Sequence, residues 1–100
     1  MEARREMVKD LETRYVLYEA LSYKGCMDQF MVAIEEMAEL QKELCKTFRS
    51  KANINAIEEE IADVQIMLWQ LEMVFGEDRI SEHIKEKVDR IEKRIKEGTL

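Results

Sequence analysis

Apolar residues recur along this chain at intervals of three and four, the period of an amphipathic helix, and nowhere alternate as in a strand. Four helical stretches follow from the pattern. The first covers about residues 2–23, with Met7, Leu11, Tyr15, Tyr18 and Leu21 on one side and Gly25 as its punctuation. The second, about residues 26–49, carries Met27, Phe30, Met31, Ile34, Met37, Ala38, Leu44 and Phe48. A polar segment, residues 49–55, then forms the interior loop, where Asn53 or Asn55 caps the third helix by accepting from a free backbone N–H. That third helix runs over about residues 54–75, and Gly76 ends it. The fourth, about residues 78–97, places Ile80, Ile84, Val88, Ile91 and Ile95 against a charged opposite face, and Gly98 stops it.

The expected fold is therefore all-α, an antiparallel bundle of about four helices in one domain spanning residues 1–100. An N-terminal helix occupies residues 1–24 and a core holding the motifs described below occupies residues 25–97. Composition agrees: there is no proline and there are three glycines, so the strongest helix breakers are nearly absent. A 100-residue chain buries a limited share of its surface, which predicts a core completed by oligomerisation.

A formal charge of −6 argues against nucleic acid as a partner, since that needs a basic face to displace counterions. It leaves room for a polyphosphate ligand if divalent cations sit between the two. Cys26 and Cys45 have no metal-type spacing and read as reduced and buried. The N-terminal residues lack the apolar run of a signal peptide or a membrane span, so the expected compartment is the cytoplasm, with no membrane partner.

The carboxylates change the picture most. Residues three apart are neighbours on a helix, so Glu36 and Glu39 project together from the second helix, and Glu60 and Asp63 from the third. With Ile57 set at zero, the third helix has an apolar arc of Ile57, Ile61, Val64, Leu68, Leu71 and Phe75. Glu60 falls within its flank at about 300°, beside Met67. Asp63 lies at the edge of the arc, while Glu58 and Glu59 point to the solvated side. A carboxylate on the packed side of a helix is costly unless paired or metal-bound. Glu36 and Glu39 lie roughly opposite the main apolar stripe of their helix, yet Val32 and Leu40 flank them, so that helix reads as apolar on two faces. If its second face meets the third helix, four carboxylates converge. Oxygen donors without histidine suit Mg²⁺ or Mn²⁺ rather than zinc. The bland alternative is a pair of solvated acidic faces.

Glu35-Glu36-Met37-Ala38-Glu39 followed, after twenty residues, by Glu60-Ile61-Ala62-Asp63 resembles the EExxE…ExxD signature of the all-α nucleoside triphosphate pyrophosphohydrolases. The flanking residues 33–40 and 55–68 are similar to small MazG-like proteins of phages and Gram-positive bacteria, and the resemblance covers about residues 25–95. It implies Mg²⁺-dependent hydrolysis of a nucleoside triphosphate to a monophosphate and pyrophosphate, in nucleotide-pool cleansing or control. It implies Glu36, Glu39, Glu60 and Asp63 as metal ligands, and a homodimer or homotetramer. Glu35 either activates the attacking water or is a solvated neighbour. Lys51, Asn53, Lys87 and Arg90 are candidates for phosphate contact from their positions in the loop and last helix. No base-recognition pocket is legible.

Trp69 lies off the apolar arc and reads as a subunit-interface residue, with base stacking as the alternative. The seven methionines read as adaptable core filling. His83 lacks the glutamate three residues before it that a di-iron bundle needs, because Ile80 stands there. No Gly-rich phosphate loop, nucleophile elbow or CxxC is present. The rival from another class is a non-catalytic helical interaction or regulatory module of phage or mobile-element type.

Overall fold

A computed structural model describes residues 10–100. They form four α-helices: α1 Leu11–Lys24, α2 Cys26–Thr47, α3 Ile54–Phe75 and α4 Glu77–Glu97. No strand occurs among the described residues. The all-α expectation holds, and α3 has the expected bounds. The expected first helix begins outside the described residues, as does Met7.

Each boundary has a local cause. Asp10 caps α1 by accepting from Glu12 N–H (3.2 Å) and from the Thr13 hydroxyl (2.7 Å). Asn53, not Asn55, caps α3: its side chain accepts from Ala56 N–H at 3.0 Å, while Asn55 donates to Glu59 one turn on. A single residue separates α1 from α2 and α3 from α4. In both places it is glycine at positive φ, +89° at Gly25 and +117° at Gly76, where a side chain would strain the backbone.

Helices α2 and α3 form the tightest pair, an antiparallel hairpin joined by residues 48–53. Helix α1 lies across both. The buried side chains are Leu17 and Leu21 from α1, Gln29 and Ala33 from α2, and Met67, Trp69 and Gln70 from α3. Two of these are glutamines, and they tie the three helices together. Gln29 donates to Gln70 across the hairpin (2.8 Å), and Gln70 donates to the Leu17 carbonyl (3.0 Å). Buried amides need such partners. A two-point pair between Arg14 and Glu77, at 2.8 and 3.2 Å, anchors the start of α4 to α1.

The apolar pattern meets the structure differently from its expected orientation. The face that α2 turns to α3 is Gln29, Ala33, Glu36, Leu40 and Glu43, whereas Met27, Met31, Ile34, Leu44 and Phe48 are exposed. On α3, Ile61, Leu68 and Phe75 are likewise open, and the face toward α2 centres on Met67, with Glu60 and Gln70 beside it. Cys26 and Cys45 are free but exposed, correcting the expectation that they are buried. Trp69, 6% exposed, is buried within the chain among Thr13, Arg14, Leu17 and Met73, which leaves it neither at an interface nor open for stacking on a base. Of the described methionines only Met67 is buried, so core filling fails for Met27 and Met31.

Candidate metal centre

The α2–α3 register decides which carboxylates meet. Gln29 faces Gln70, and moving seven residues along each helix in opposite directions arrives at Glu36 and Asp63. Seven residues are close to two turns, so the same faces meet again about 10 Å further along the hairpin. Glu60, one turn before Asp63, joins them. Glu36, Glu60 and Asp63 each offer an oxygen, and these three oxygens lie within 4.8 Å of one another.

The electrostatics are unfavourable without a counter-charge. Both Glu36 and Glu60 hold their protons above the ordinary glutamate value of 4.5. For Glu36 the causes are burial, then the charges of Asp63 and Glu60, then a hydrogen-bonding contact with Asp63, and the charge of Glu39. For Glu60 burial is again largest, followed by Asp63, Glu39, Glu43 and Glu59. Two carboxylates share a hydrogen-bonding contact only with a proton or a cation between them. The Oε2 atom of Glu60 is shielded from solvent and has no hydrogen-bond partner.

The donor set fits a hard divalent cation. Three carboxylate oxygens bound to one octahedral Mg²⁺ sit roughly 3–4 Å apart, at metal–oxygen distances near 2.1 Å. Glu36 and Glu60 are half-buried and Asp63 is exposed, which leaves one side of the cluster open to water or a ligand.

The other candidates lie around this cluster. Glu39 is exposed at its edge, where its charge acts on both Glu36 and Glu60, and Glu35 is exposed one position earlier on α2. Lys51 and Asn53 are in the loop at the same end of the hairpin, two to three turns of α3 before Glu60, with the Asn53 side chain engaged in its cap. Lys87 and Arg90 lie on α4, which begins at the opposite end of α3. Both are exposed and pair with no site carboxylate. Glu43 was missed by sequence reasoning. It is seven residues after Glu36 on the same face, adds its charge to the field at Glu60, and is neutralised by Lys46 at 2.9 Å. That i, i+7 spacing was the available signal.

No family model, curated protein or solved structure matches the chain.

Proposed function

We propose that this chain is a Mg²⁺-dependent nucleoside triphosphate pyrophosphohydrolase, acting as a homodimer or homotetramer in the cytoplasm. One observation carries the reading: Glu36, Glu60 and Asp63 converge from two helices with the shielded Glu60 Oε2 unpartnered. The resemblance of residues 35–39 and 60–63 to the EExxE…ExxD signature supplies the reaction.

In this reading Glu36, Glu60 and Asp63 hold the ion, with Glu39 completing the set from the exposed edge. Bound Mg²⁺ (or Mn²⁺) supplies positive charge against the triphosphate and the charge developing as it reacts. Glu35 or a neighbouring carboxylate takes the proton of the attacking water, whose oxygen bonds to the α-phosphorus. The bond between that phosphorus and the α–β bridging oxygen breaks, and pyrophosphate leaves. Lys51 approaches the phosphates from the loop, whereas the Asn53 side chain is held in its cap and Lys87 and Arg90 lie on the outlying part of α4.

The test is incubation with Mg²⁺ and a panel of canonical and modified nucleoside triphosphates, following monophosphate and pyrophosphate, beside Glu60→Gln. Pyrophosphate release by the native chain, abolished in the variant, is the expected result. Orthophosphate release would place the cleaved bond elsewhere. Absence of turnover together with absence of Mg²⁺-dependent stabilisation would favour the interaction-module reading, to which the exposed apolar stripe of α4 also belongs.

A further inference from the structure

Helix α4 leaves the rest of the chain almost at once. Its first turn is held by the Arg14–Glu77 pair and Ile80 is half-buried, but every residue from Ser81 onward is exposed. Ile84, Val88, Ile91 and Ile95 stand in water at 46–59% exposure. Most helical stability in proteins comes from packing an amphipathic face, so a 21-residue helix with this face uncovered lacks its usual support.

The shape of the stripe says what covers it. Ile84, Val88, Ile91 and Ile95 are spaced four, three and four, and fall within about 60° of one another around the helix. A helix docked on a globular core shows an apolar arc of about 100° or more, whereas a narrow one at this spacing is the seam of a coiled coil. In heptad terms Val88 and Ile95 are a positions, and Ile84 and Ile91 are d positions. The remaining surface is balanced, with seven acidic residues and seven lysines or arginines between Glu77 and Glu97, unlike the cationic face of a membrane-surface helix.

Charge fixes the orientation. The g positions beside the seam are Lys87 and Arg94, and the e positions are Lys85 and Glu92. In a parallel coil g meets the following e of the neighbouring strand, which brings Lys87 to Glu92. In an antiparallel coil g meets g and e meets e, which opposes Lys87 to Arg94 while pairing Lys85 with Glu92, so the repulsion cancels the attraction and the parallel arrangement keeps the charge advantage. We propose that α4 is a self-association element: its Ile84–Ile95 stripe packs, parallel, against the same stripe in further copies of this chain. Valine or isoleucine at every a and d position from Ile84 to Ile95 is a composition favouring more than two strands. The proposal specifies the oligomer surface of the reading above, and its readout is mass rather than catalysis, so either can fail without the other.

The experiment is sedimentation equilibrium on the full chain at about 100 μM. The native chain should exceed its monomer mass of 11.9 kDa and Ile91→Glu should return to it, with the helical circular dichroism of α1–α3 retained. Lys87→Glu should weaken association about tenfold by turning exposed attractive pairs into repulsive ones, and adding Glu92→Lys should restore it. A native chain that stays monomeric overturns the proposal, as does an Ile91→Glu variant of unchanged mass. Tighter association in Lys87→Glu would mean the antiparallel pairing and would also overturn it.

Discussion

At the scale of single residues, burial and neighbouring carboxylates make Glu36 and Glu60 harder to ionise than an ordinary glutamate. Folding raises the proton affinity of both, so above pH 4.5 the native chain holds protons that the unfolded chain has released. The stability these groups contribute is complete at low pH and is lost as pH rises through their raised native values. Metal-free protein should therefore melt at a higher temperature at pH 5 than at pH 7, and Glu60→Gln should flatten that dependence while raising the pH 7 melting point. Mg²⁺ should raise the melting temperature of the native chain and leave that of the variant unmoved. Calorimetry with and without chelator decides it; equal Mg²⁺ responses would remove the metal from the site. Gln70 offers a second test. Gln70→Ala leaves Gln29 buried without its acceptor, which should cost about 1–3 kcal/mol in urea unfolding. Neither glutamine was legible in the sequence, because an amide looks like a surface residue until its partner is known.

At the scale of helices, the legible and illegible parts separate cleanly. The bounds of α3 follow from Asn53 and Gly76, residues whose chemistry acts within a few positions. Asn53→Ala should cost about 1 kcal/mol in unfolding, while Asn53→Asp, an equally good cap, should cost little. A loss in both would show that Asn53 does more than cap. The facing of α2 was not legible. Its strongest apolar stripe and its contact face differ by roughly 120° around the helix, and periodicity does not say which one meets α3. The second, mixed face of Val32, Glu36 and Leu40 was recognised, and the inference that carboxylates converge if it meets α3 depended on it. Glu60 was legible for a related reason: its neighbour Met67 is apolar and buried, so its place on the packed side shows in a wheel.

For the whole molecule, three helices share a small core in which Ala33 is the most shielded hydrophobic residue, while apolar side chains on all four helices face water. The single chain thus leaves apolar surface uncovered, and this is the surface that the proposed self-association would bury. A melting temperature that climbs with chain concentration is the outcome expected of an assembly whose subunits stabilise one another, and a constant one between about 5 and 200 μM would oppose it.

The free reach of α4 also has a consequence for proteases. Lys85, Lys87, Arg90, Lys93, Arg94 and Lys96 are six tryptic positions on a helix with only its first turn anchored. Cleavage follows how often a segment opens, and a helix without neighbours opens readily at its end. Dilute chain should lose its last dozen or so residues to trypsin while α2 and α3 survive, and concentrated chain should keep them.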